Sequence, residues 1–245
     1  MKILLGFTGG VDSTYLLYKL LTETTDEITA LYVDFTDTDI DYVIRKQHLA
    51  EMMASNIIID WLKDNTRHFE YRILKQNEKY SGYWVSPILM KIASSIMSEG
   101  FDVFYTARTI ESSRQSKGAD TIGWFKEMFA EGGVGEWRCP LMEWNKSRPH
   151  AYAELPPALM SIVTSCIDLE YIDQKVVQCG KCWKCLASIK IRNELAEGRD
   201  VEKIVEDVKR QRMVGEYLPT RRRPDSYGGS LAVKRALIPD KWKFD

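Results

Sequence analysis

Two stretches of this sequence combine residue types and spacings that suit chemistry. The first is Thr8-Gly9-Gly10-Val11-Asp12-Ser13-Thr14, and the second is the set Cys166, Cys179, Cys182 and Cys185. In the first, paired glycines let backbone approach a ligand and take positive φ, and the free N–H groups of a following helix favour anions. Thr8 and Ser13 add hydroxyl donors, so the loop can hold pyrophosphate without a lysine. The G-x-x-x-x-G-K-[ST] pattern of ordinary phosphoryl-transfer NTPases is absent. The plainer reading is a glycine turn in which Asp12 merely caps a helix.

The cysteines are spaced C-x12-C-x2-C-x2-C. Tetrahedral Zn²⁺ takes four thiolates, and close C-x2-C pairs let backbone N–H groups donate to the sulfurs, with Gly180 permitting the tight turn. Four protein ligands leave no position for water, so such a site is structural and staples the C-terminal segment. An iron–sulfur cluster and unligated buried thiols are the competing readings. Cys139 stands apart beside Pro140, either as a core thiol or, in a sulfur-transfer enzyme, as a persulfide carrier.

These residues need elements to position them. Lys2 to Phe7 is a short apolar run ending at the glycines, and Tyr15, Leu16, Leu17, Leu20 and Leu21 then recur at helical spacing. Glu27 to Phe35 predicts a second strand, with Asp37, Thr38 and Asp39 as caps before a long helix through Arg45, Leu49, Met52 and Met53. Phe69 to Leu74 and Asp102 to Thr106 predict strands around a helix from Pro87 to Met97; a helix from Asp120 to Ala130 and a fifth strand from Trp137 to Met142 follow. The alternation predicts a parallel five-stranded Rossmann-like α/β sheet with helices on both faces. Pro156-Pro157 marks a change to the cysteine region and a charged helical stretch from Ala187 to Arg212. Residues 1–155 therefore read as the α/β domain and 156–245 as a small zinc-binding, helical C-terminal region.

A hydrophobic content of 44% with 28% charged residues excludes a disordered chain. No apolar run reaches the roughly 18 residues of a membrane span, and the start carries no signal-cleavage pattern, so a reducing, cytoplasmic setting is expected. Lys and Arg total 34 against 35 for Asp and Glu, which gives no general field for nucleic acid; Arg221, Arg222 and Arg223 form only a local basic run.

The segments FTGGVDST (7 to 14), CPLMEWNK (139 to 146) and CGKCWKC (179 to 185) resemble, in order, the 7-cyano-7-deazaguanine (preQ0) synthase family of the N-type ATP pyrophosphatases. The resemblance implies an enzyme, a carbon–nitrogen ligase, that adenylates a 7-carboxylate with ATP, releases pyrophosphate, and lets ammonia displace AMP on the way to a nitrile. It implies that Asp12 and Ser13 organise Mg²⁺ and phosphates and that Lys146 stands near the phosphates. It places adenine against Tyr32, Val33 and Asp34, makes Arg108 and Glu111 candidate substrate contacts, and implies a homodimer. The family's Gly-Gln-x-His stretch is replaced by DFTDTDIDY at 34 to 42, and its Pro-Gly-Arg-Asn turn by YWVSPILM at 83 to 90. Those segments line the substrate side, which leaves the acceptor open between the deazapurine and another carboxylate. Beside this stand a tRNA sulfur-transfer enzyme and a zinc-stapled binding module without catalysis.

Overall fold

The computed structural model describes residues 1–34, 42–75, 85–109, 126–127, 129–130, 135–166, 168–173 and 175–213. Strands β1 (Lys2–Gly6), β2 (Glu27–Asp34), β3 (Glu70–Lys75), β4 (Val103–Thr106) and β5 (Glu136–Arg138) form one parallel sheet in the order β3-β2-β1-β4-β5. β1 is central, with Ile3 beside both Ile28 and Val103. Its residues are apolar on both faces because both are covered: Ile3 and Leu5 enter one core, Leu4 the other. Ile28, Ala30, Val103 and Tyr105 share the first core, and Leu31, Val33 and Phe104 the second.

Helix α1 (Val11–Glu23) and helix α2 (Tyr42–Asn65) pack their apolar stripes, Leu16, Leu17 and Leu20 with Ile58, Ile59 and Leu62, on the first face. Helix α3 (Val85–Met97) covers the second with Met90, Ala93 and Met97. Right-handed crossovers require this split, because the chain moves from β1 to β2 to β3 in one direction and then returns past β1 to β4. The direction of winding therefore reverses between β1 and β4, and the crevice at their carboxyl ends is where open sheets bind ligands.

The described elements after β5 build mainly onto the first face. Short helices α4 (Pro140–Glu143), α5 (Arg148–Glu154) and α6 (Pro157–Ile162) lead to a hairpin of β6 (Glu170–Ile172) and β7 (Lys175–Val177), then to α7 (Trp183–Ala196) and α8 (Val201–Met213). Tyr152, Leu159, Ile191, Ile204 and Val208 join the same core as α1. Ala50 of α2 packs with Leu169, Cys166, Cys182 and Cys185 in a third, smaller cluster.

The expected strands and helices form the predicted architecture, with local differences. Pro140 begins a helical turn, so the fifth strand stops at Arg138 instead of continuing to Met142. The helix expected from Ala187 to Arg212 is two helices, since the chain turns at Gly198 with φ of 77°. The capping residues Asp37, Thr38 and Asp39, most of the stretch from Asp120 to Ala130, Glu111, Arg221 to Arg223 and the tail lie outside the described residues.

Gly9 fixes the turn after β1. Its φ is 67°, and a Cβ there would stand 2.5 Å from Ser55 Oγ and 3.1 Å from the Ser55 backbone nitrogen. Gly10 differs, with φ of −75° and nothing nearer than Thr8 Oγ1 at 3.5 Å. Gly9→Ala is expected to cost about 1–3 kcal/mol through positive-φ strain, with the collision against α2 added to it, whereas Gly10→Ala stays near wild type. Urea unfolding of the two variants side by side checks this.

Candidate functional site

The loop that follows β1 is held from inside. Thr8 N–H donates to Ser13 Oγ at 3.3 Å, the two hydroxyls meet at 3.2 Å, and Ser13 Oγ donates to the Gly10 carbonyl at 3.1 Å. Gly10 is the N-cap of α1 and supplies no side chain to its first turn. The amides of that turn thus face the crevice with the positive end of the helix dipole. Val11 and Thr14 are buried beneath the turn and hold it to the core, while Thr8 is exposed. From the other side, Gly10 makes a parallel bridge to Thr164, whose hydroxyl donates to the Gly9 carbonyl at 3.5 Å.

Asp12 is not the cap. It lies in the first turn of α1, and its carboxylate accepts three hydrogen bonds from Arg148: Nε at 3.1 and 3.2 Å and Nη2 at 3.0 Å. Arg148 opens α5, where Ser147 and His150 cap each other: Ser147 N–H donates to His150 Nδ1 at 3.2 Å. That leaves Nε2 as the protonated nitrogen, facing Glu202 of α8 at 2.9 Å. The capping box therefore aims Arg148, and the pair is largely shielded from water, with 14% and 18% of the two side chains exposed.

Lys146 is placed differently. Its ammonium donates to Glu154 Oε1 at 2.6 Å, and Glu154 Oε2 accepts from Tyr15 at 2.6 Å and Lys19 at 3.2 Å. Burial pushes the Glu154 carboxyl up, but hydrogen bonds from Lys146, Tyr15 and Lys19 outweigh it and bring it down to about 2. Burial and the same carboxylate push the Tyr15 hydroxyl up. The cation bonded to Asp12 is Arg148, two residues further on.

Tyr32, Val33 and Asp34 are buried at the carboxyl end of β2, beyond the last β1 pair, Gly6 with Leu31. Arg108 follows β4; burial lowers its pKa, with the Cys139 sulfur opposing. Cys139 Sγ lies 3.3 Å from Thr106 Oγ1, which accepts from Trp137 Nε1 at 3.0 Å. Burial pushes the Cys139 thiol up against the opposing effects of Thr106 and Arg108, the reverse of an activated nucleophile.

The sulfurs of Cys166, Cys179, Cys182 and Cys185 all lie within 4.8 Å of one another. The Cys166 sulfur is 3.5 Å from that of Cys179 and 3.8 Å from that of Cys182. Four thiolates on one tetrahedral zinc at about 2.3 Å stand about 3.8 Å apart, so the set fits a single ion; an iron–sulfur cluster holds its thiolates farther apart. Backbone N–H groups of Asp168 and Cys179 donate to Cys166, Cys182 N–H to Cys179, and Cys185 N–H to Cys182, at 3.2 to 3.4 Å. Such donors stabilise thiolate charge. Gly180 takes φ of 67° in the knuckle. Among the described residues, no other group of three or more metal-binding side chains comes together, and no helix is long and apolar enough to cross a membrane.

The fold and site define a Rossmann-like parallel α/β protein with a paired-glycine turn after β1 and four clustered cysteines that could hold a metal ion. No protein-family model and no curated protein matches the chain. Among solved structures it is similar to the predicted subunit of tRNA methyltransferase from Methanocaldococcus jannaschii, with 14% identity and a TM-score of 0.36 over 83% of this chain and 92% of that one.

Sequence reasoning missed Arg148, Thr164 and Glu154. For Arg148 a signal existed: Ser147, Pro149 and His150 mark a capped helix start, which puts a cation at a first turn. Serine replacement of Cys166, Cys179, Cys182 or Cys185 is expected to remove zinc and lower the thermal midpoint by roughly 5–15 °C. Cys139→Ser keeps its metal, as elemental analysis will read. Glu154 contributes stability that is complete above its ordinary value of 4.5 and lost as pH falls toward 2. Glu154→Gln should lower the melting temperature at pH 7 and flatten its decline between those two values.

Proposed function

We propose that the chain is an ATP-dependent ligase that adenylates a carboxylate on a deazapurine-like small molecule and passes it to ammonia. The observation that carries this is the lysine-free Gly9-Gly10 turn, which presents the uncapped first turn of α1 at the β1–β4 switch point beside Asp12 and Arg148. The acceptor carboxylate attacks the α-phosphorus, the bond to the β-phosphate oxygen breaks, and pyrophosphate leaves with that electron pair. The α1 amides, Thr8 and Ser13 receive the charge that develops on the leaving group.

Ammonia then adds to the acyl carbon, AMP departs with the carbon–oxygen bonding pair, and the nitrogen loses a proton to give an amide. Adenylation of the amide oxygen, followed by loss of AMP and protons, leaves a nitrile. Asp12, partly exposed beside the loop, is the residue suited to hold Mg²⁺, which when bound neutralises phosphate charge. Tyr32, Val33 and Asp34 offer the adenine side and Arg108 the acceptor side. Lys146 acts through Glu154, which it helps to keep ionised against α1. Zinc has a structural role, and the protein works as a cytoplasmic homodimer without nucleic acid.

Purified protein with Mg²⁺-ATP, ammonium and 7-carboxy-7-deazaguanine is expected to release AMP and pyrophosphate. Mass spectrometry of the product, set against the AMP count, separates an amide (one AMP) from a nitrile (two). Asp12→Ala and Ser13→Ala should each lose about 10²–10³ in turnover with little change in melting temperature. ADP as the nucleotide product would defeat adenylation, whereas AMP release with another carboxylate would defeat only the acceptor.

A further inference from the structure

Among the described residues, two buried side-chain oxygens have no hydrogen-bond partner, Thr14 Oγ1 and Ser55 Oγ, and both belong to residues that adjoin the turn after β1. Thr14 N–H donates to the Gly10 carbonyl at 3.0 Å. Ser55 lies in α2, fully buried, and its hydroxyl oxygen stands 2.5 Å from where a Gly9 Cβ would be. A serine inside a helix can return its hydroxyl to a carbonyl one turn back. Ser95 of α3 and Ser188 of α7 do so, at 2.7 and 2.8 Å. Ser55 forgoes that bond and brings its hydroxyl against Gly9 instead.

A buried hydroxyl without a partner is costly, and alanine would fill the same place without that cost. Packing against Gly9 therefore does not account for a serine at this position. The Gly9 carbonyl beside it is loosely held: Thr164 Oγ1 reaches it at 3.5 Å, and a carbonyl oxygen has two lone pairs to offer. The peptide joining Gly9 to Gly10 is planar and trans, so the Gly10 N–H points opposite to that carbonyl. A donor added on the carbonyl polarises the N–H and makes it a stronger donor to an anion.

We propose that Ser55 is a positioning residue of the anion site: when pyrophosphate engages the Gly9-Gly10 turn, the Ser55 hydroxyl donates to the Gly9 carbonyl, so that α2 supports phosphate binding from behind the turn. This rests on the reading of the turn as the pyrophosphate site. Ser55 does not touch the phosphate and acts through the Gly9–Gly10 peptide. Binding then gives the buried hydroxyl the partner it lacks, and part of the affinity comes from that relief inside the protein.

The test pairs thermal melting with calorimetric titration of Mg²⁺-pyrophosphate and of AMP into the full chain, for wild type and Ser55→Ala. Without ligand, the melting temperature of Ser55→Ala is expected to rise by roughly 2–4 °C, because the unpartnered hydroxyl is gone. Pyrophosphate should bind on the order of 10-fold more weakly, with a much smaller change for AMP. A serine with a merely structural role would not move stability and affinity in opposite directions. Wild-type pyrophosphate affinity in Ser55→Ala would overturn the proposal, as would a melting temperature that does not rise or an equal loss for AMP. A wild-type chain that binds neither ligand would overturn the reading of the turn itself, and this proposal with it.

Discussion

The close contact between Gly9 and α2 governs the rest of the site. With the Ser55 backbone 3.1 Å from where a Cβ would stand, and φ of 67°, only glycine passes there without displacing the helix. The chain leaving β1 is thereby pressed between α2 and the segment around Thr164, and it enters α1 with the first-turn amides toward the crevice. A larger residue would push the turn away from α2, and the Thr164 contacts, already long at 3.5 Å, would be lost first. Sheet order makes this matter, because the clamped turn sits where the winding reverses.

Charge is distributed around that turn in a definite way. An aspartate in the first turn of a helix is favoured by the dipole alone. Arg148 adds a multiply hydrogen-bonded partner in a mostly shielded position, which exceeds the small worth of an exposed ion pair. Glu154 forms a second centre, gathering Tyr15, Lys19 and Lys146 so that α1 and α5 are fastened along their length. Asp12 and Glu154 therefore do different work from the same pair of helices. One pairs with Arg148 beside the turn, and the other fastens α1 to α5.

The sheet was legible in the sequence because its inner strands are buried on both faces and read as continuous apolar runs, as Ile3-Leu4-Leu5 and Ala30 to Val33 do. The loop and the four cysteines were legible because local spacing fixes their chemistry. The β6–β7 hairpin was not, since its strands have three residues each and bury little. Arg148 was missed for a different reason: 136 positions separate it from Asp12, and only the packing of α5 on α1 joins them. The resemblance pointed instead to Lys146, which the turn through Asn145, at φ of 54°, and the start of α5 direct to Glu154. Proline cut the fifth strand short, a tertiary choice between strand and helical turn that the apolar run through Met142 does not reveal.

These contacts also bear on what a tetracysteine centre does in such a chain. A staple could sit anywhere along the C-terminal segment and still hold it together. Here the cysteines pack on Ala50 of α2, the helix whose Ser55 backs Gly9, and the first ligand follows Thr164 by two residues. Both walls of the turn therefore run into the cysteine cluster within a few residues. Burial pushes the Cys166 and Cys185 thiols up, so these two stand together as thiolates only when a cation compensates them. A metal ion held by these cysteines would therefore also restrain α2 and Thr164 beside the turn. The cysteine cluster and the turn after β1 are thus joined through α2 and Thr164, although 156 positions separate Gly10 from Cys166.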